Sequence, residues 1–100
     1  MLDKLFKINA EITVKKTGGR TWPIKSGYRP GFRFANNGLT SGAINLLDTH
    51  ELNPGQKGKV EIRFISIEPL WNITLGTEFR FYEGPIEIGS GKVTGIIGWV

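Results

Sequence analysis

The sequence has no cysteine and one histidine. Without thiols there can be no disulfide and no thiolate-held metal, and cysteine usage says nothing about redox compartment. A zinc site, built from several Cys or His ligands, is not expected on the same two counts. The lone His50 lies in the polar stretch "LLDTHELNPG" beside Asp48 and Glu51, where a solvated loop histidine is expected. Carboxylates are scattered along the chain instead of paired, so general acid–base work has no obvious home. No catalytic residue, metal, cofactor or small-molecule substrate is therefore expected. Long apolar runs are also missing. No stretch approaches the ~18–20 apolar residues of a membrane span. The opening "MLDKLFKINAEI" has no apolar run long enough for a signal peptide, so the expected setting is cytoplasmic, with no membrane partner. "NIT" (Asn72–Thr74) matches a glycosylation acceptor, which carries no weight without a secretion signal.

Sustained helical periodicity is absent too. What replaces it is period two, the mark of half-buried strands. Ile8, Ala10, Ile12 and Val14 alternate with Asn9, Glu11, Thr13 and Lys15. Phe32 and Phe34 flank Arg33 in "GFRFA", a short strand with both rings on one face. "KVEIRFISIEP" puts Val60, Ile62 and Phe64 on one face and Glu61 and Arg63 on the other; Ile65 and Ile67 then predict a far end that is covered on both sides or bulged. "TEFRFYEG" sets Phe79 and Phe81 against Glu78, Arg80 and Tyr82. "AINLLD" reads as a strand or a single helical turn, and "PIEIGSGKVTGIIGWV" as one or two strands broken at Gly89 and Gly91. Glycines within a strand pattern mark a bulge or sharp bend. "KKTGGRTWP", "NNGLTSG" and "NPGQKG" read as turns, with Gly18–Gly19 free to take positive φ and Pro54–Gly55 suited to a tight turn.

The 100 residues, 39% hydrophobic and 22% charged, suit one globular domain spanning 1–100. Short strands separated by turn signals predict an all-β barrel or sandwich, and a barrel removes exposed edges. Met1 directly before the first strand and the apolar Trp99–Val100 close predict a stand-alone domain with a docked end. "GSGK" (Gly89–Lys92) invites a phosphate-loop reading and fails it: Ile86 stands where the first glycine belongs and Val93 where the hydroxyl belongs. The formal charge of +4 suits nucleic acid or an acidic protein, and many proteins that bind neither.

"SGYRPGFRF" (Ser26–Phe34) interleaves cations and rings as a nucleic-acid grip does, and as a turn leading into an amphipathic strand also does. In order along the chain, "FKINAEITVKKTGGRTWPIKSGYRPGFRF", "LNPGQKGKVEIRFISIEPL" and "GTEFRFYEGPIEIGSGKVTGI" resemble the C-terminal (third) β-barrel domain of elongation factor Tu. The likeness runs from about Phe6 to Ile97. It implies a six-stranded antiparallel Greek-key barrel without catalysis. In that family the barrel touches the T-stem of aminoacyl-tRNA, packs on the GTPase domain and offers a surface to the exchange factor. By resemblance, Arg20 matches the arginine of the Gly-Gly-Arg turn and Arg29 that of Gly-Tyr-Arg-Pro. Thr40 and Glu83 match positions that meet T-stem groups. The departures are Gly31 in place of the family's glutamine, Thr21–Trp22 after the Gly-Gly-Arg turn, and Glu68 where a lysine or histidine is common. No GTPase motif is present.

Two functions follow from different classes. One is a protein-binding module resembling that barrel: a mimic, an immunity protein against a toxin, or a regulator of a translation factor. The other is an RNA-binding module touching the tRNA backbone, with Arg20, Lys25, Arg29, Arg33 and Lys92 on phosphates and Trp22 and Tyr28 packed beside them. Retained barrel residues with diluted RNA contacts favour the first.

Overall fold

The computed structural model describes residues 5–34, 38–66 and 72–100. Six strands form: β1 (Phe6–Val14), β2 (Gly31–Phe34), β3 (Leu39–Leu46), β4 (Lys57–Phe64), β5 (Glu78–Glu83) and β6 (Ile86–Trp99). None of the described residues is helical, and none belongs to a helix long and apolar enough to cross a membrane. The strands close into a barrel in the order β1-β4-β3-β2-β5-β6, every pair antiparallel. Hairpins join β2, β3 and β4, while β1 returns through a long connection to lie beside β4. That is a Greek key, the expected architecture.

Alternation decides which residues go inside. Ile8, Ala10, Ile12 and Val14 of β1, with Val60, Ile62 and Phe64 of β4, are buried. Five rings from β2, β4 and β5, Phe32, Phe34, Phe64, Phe79 and Phe81, fill the lumen with them. Phe32 sits at their centre, 5.2 Å from Phe64, 5.7 Å from Phe79 and 5.9 Å from Phe81, mostly edge-on. Edge-on rings at such distances contribute beyond the area they bury.

Small residues face these rings. A Cβ at Gly42 would lie 2.7 Å from the Phe64 ring. This explains a correction: "NNGLTSG" is not all turn. Leu39–Gly42 open β3, and their inward positions are Thr40 and Gly42, so no apolar pattern betrays them. Asn36 and Asn37 lie outside the described residues. "AINL" continues the same strand and makes no helical turn.

The glycine-rich end is one continuous 14-residue strand, not two. Gly89 and Gly91 do not break it. A Cβ on Gly89 would come 2.5 Å from the Phe81 ring, and one on Gly91 would come 2.5 Å from Phe79. One register shift adjoins Gly89, as a strand glycine predicts, leaving Ile88 unmatched against β5; two more leave Thr94 and Ile97 unmatched against β1. Such extra residues bend and twist a strand, which closure of a small barrel requires. Likewise, β4 ends at Phe64 and Ile65 is exposed, so the predicted double coverage fails at Ile65; Ile67 is outside the described residues. Trp99 lies edge-on to Phe6 at 5.6 Å yet stays 49% exposed, which is less docked than its composition suggests.

Turns follow their chemistry. Gly55 takes φ +91° after Pro54, closed by Gln56 N–H donating to Asn53 O. In "SGYRPGFRF" the bend is at Gly27, with φ +98° and Tyr28 N–H donating to Lys25 O. Gly31 already pairs in β2 with Ser41 and Tyr82.

Candidate binding surface

The β5–β6 turn and the segment between β1 and β2 meet where Gly19 packs against the β6 backbone. A Cβ at Gly19 would stand 3.2 Å from Glu87 O. This close approach delivers Arg20 to the end of β5. Its Nη1 donates to Glu83 Oε2 at 2.9 Å, its Nε to Trp22 O at 3.0 Å and its Nη2 to Pro23 O at 3.3 Å. The guanidinium lies 4.6 Å from the centre of the Tyr28 ring. Three sequence-selected side chains, Arg20, Tyr28 and Glu83, thus form one cluster, to which Trp22 lends only its backbone carbonyl. Removing Arg20 takes away an ion pair, two carbonyl bonds and a stacking contact. Arg20→Ala is expected to cost about 1–2 kcal/mol in chemical denaturation. Arg20→Lys should restore little of it, since an ammonium lacks the planar fork; full restoration would show that charge alone matters.

Within the cluster the Tyr28 hydroxyl is buried and, among the described residues, has no hydrogen-bond partner. Burial pushes its pKa from 10.0 up to about 12; the Glu83 carboxylate adds to the rise and Arg20 opposes it. The native state therefore holds this proton more tightly than the unfolded chain does. The associated stability is fully present below pH 10 and is lost as pH rises toward about 12. Tyr28→Phe is expected to be neutral or slightly stabilising at pH 7, because an unpaired polar group leaves the interior. It should also flatten the fall in denaturation midpoint between pH 10 and 12. An unchanged alkaline slope in the variant would contradict this assignment.

Other selected residues lie elsewhere. Thr40 is 7% exposed, and its hydroxyl donates to Ser66 O at 3.4 Å. Lys25 and His50 are exposed and border a shallow depression with Asp48. Among the described residues no group of three His, Cys, Asp or Glu side chains is placed to hold a metal. Arg29 is exposed on the segment before β2, and Trp22 is 74% exposed.

Arg33 and Lys92 line a larger open depression of about 720 Å³ on the outer face of β1, β6, β5 and β2. Register organises its charges into rows. One row reads Lys59, Glu11, Lys92, Glu78 across β4, β1, β6 and β5, alternating in sign. The next reads Lys57, Thr13, Ser90, Arg80, Arg33 across β4, β1, β6, β5 and β2, with no carboxylate in it. Arg80 draws on Glu87 at 3.4 Å; no ion pair within 4 Å forms at Arg33, Lys57 or Lys92 among the described residues. Sequence reasoning selected Arg33 and Lys92 but missed Arg80, Lys57, Ser90 and Thr13. Their outward alternation was readable. Which strands stand side by side, and so which outward residues share a row, was not. No protein-family model matches the chain.

Proposed function

We propose that this chain is a non-catalytic protein-binding module whose surface resembles the third barrel of elongation factor Tu, acting as a mimic, immunity protein or regulator toward a translation-factor partner. One observation carries it: three of the four side chains matched to the resembled family's barrel, Arg20, Thr40 and Glu83, are spent internally, and Arg29 alone is exposed. Arg20 and Glu83 bond each other, and Thr40 is buried against Ser66. A phosphate approaching Arg20 competes with a carboxylate 2.9 Å away. A few dispersed cations give weak, salt-sensitive affinity for nucleic acid. Toxins or regulators that recognise the barrel's shape and side chains have no such requirement.

The test is competition. The tagged protein, incubated with native cytoplasmic extract, is expected to retain one stoichiometric partner. Excess isolated elongation factor Tu barrel should elute that partner. Saturable binding of tRNA at low salt, with a salt slope reduced by Arg20→Ala, would replace this function with RNA binding.

A further inference from the structure

We propose that the outer depression over β1, β6, β5 and β2 is the docking site for an acidic segment of a protein partner, its carboxylates held by Arg33 and Arg80; this rests on the protein-binding function above. Arg33 and Arg80 stand directly opposite each other on adjacent strands. Like charges so placed oppose folding; Glu87, 3.4 Å from Arg80, offsets one of them, and Arg33 makes no ion pair within 4 Å among the described residues, so an added anion relieves what remains. Two guanidinium groups side by side match carboxylates, which they bind in paired, charge-assisted hydrogen bonds. The Ser90 and Thr13 hydroxyls extend the row as further donors, and Lys57 closes it.

The same lining decides between a peptide and a nucleic acid. Glu11, Glu78 and Glu87 share the depression with the cations. A phosphodiester chain carries one sign of charge at every step and meets these carboxylates wherever it crosses the face. A polypeptide places carboxylates over the Arg33–Arg80 row and amides or cations over the Glu11–Lys92–Glu78 row. Mixed charge on the surface selects mixed charge in the ligand.

The experiment follows the backbone amides and arginine side-chain signals of isotope-labelled protein during titration with acetyl-Gly-Glu-Gly-Glu-Gly-amide. Parallel titrations use the matching lysine peptide and a single-stranded oligonucleotide. The acidic peptide is expected to produce saturable shifts at Arg33, Arg80 and Ser90, weakened by added salt. Arg33→Ala should raise its Kd about tenfold while leaving the melting temperature unchanged or higher. Lys16→Ala, an exposed lysine outside the depression, should change neither. An absence of saturable shifts, an equal response to the lysine peptide, tighter binding of the oligonucleotide, or indifference to Arg33→Ala would each overturn the site. The two proposals fail separately. A captured partner whose affinity ignores Arg33→Ala removes this site and leaves the protein-binding function. Peptide binding without a stoichiometric protein partner does the reverse.

Discussion

Replacing Phe32 by alanine is expected to lower the unfolding free energy by about 3–5 kcal/mol. Phe32 is fully buried, and its ring touches rings from β4 and β5 at 5.2–5.9 Å. Truncation removes its transfer free energy and leaves a void among side chains that are themselves fixed. Phe64, Phe79 and Phe81 sit on strands paired on both sides, so collapse into the void would require the barrel to deform. A domain of this size has a total stability of about 5–15 kcal/mol, and each kcal/mol shifts the melting temperature by roughly 4–8 °C. The melting temperature should thus fall by on the order of 20 °C. Phe32→Leu should lose less than half as much, because it leaves a smaller void. Equal losses in the two variants would show that the ring contacts matter and the filled volume does not.

Gly89→Ala is the second large effect, at about 2–4 kcal/mol, at or above the usual range for overpacking. The new methyl would stand 2.4 Å from Thr13 O and 2.5 Å from the Phe81 ring. A ring can turn aside, but the β1 carbonyl belongs to the ladder and cannot retreat without opening it. Gly95, in the same strand, is the internal comparison. There the nearest atom to a new Cβ is Asn9 Cβ at 3.4 Å, and φ is not positive. Gly95→Ala is expected to be neutral or to stabilise by up to about 1 kcal/mol through the unfolded chain. Urea denaturation of the pair separates close approach from strand propensity. If both variants lose similar amounts, the Phe81–Gly89 contact is not what the glycine serves.

This contact also marks where sequence reading stops. Alternation in "INAEITV", "KVEIRF" and "EFRFYE" was enough to place β1, β4 and β5 and to put their apolar residues inside. It failed where the inward residue is small. Thr40 and Gly42 look like turn residues because the lumen at that level is filled by Phe64 from another strand. Gly89 and Gly91 look like breaks because the rings they accommodate belong to β5. In each case the missing information is a neighbour far away in sequence. The same limit governs the surface. Arg20 and Glu83 were both selectable, 63 positions apart, but only closure of the barrel makes them partners. The selection of Arg33 lacked Arg80 for the same reason, and Glu68, noted as a departure from the resembled pattern, lies outside the described residues.

The most direct measurement is the mass of the complex captured from native extract, with and without nuclease treatment. The 11.1 kDa chain is expected to elute with one protein partner in a fixed ratio, and its mass should be the same after nuclease. A complex that dissolves on nuclease treatment, leaving the free chain, would contradict protein binding and assign the barrel to RNA.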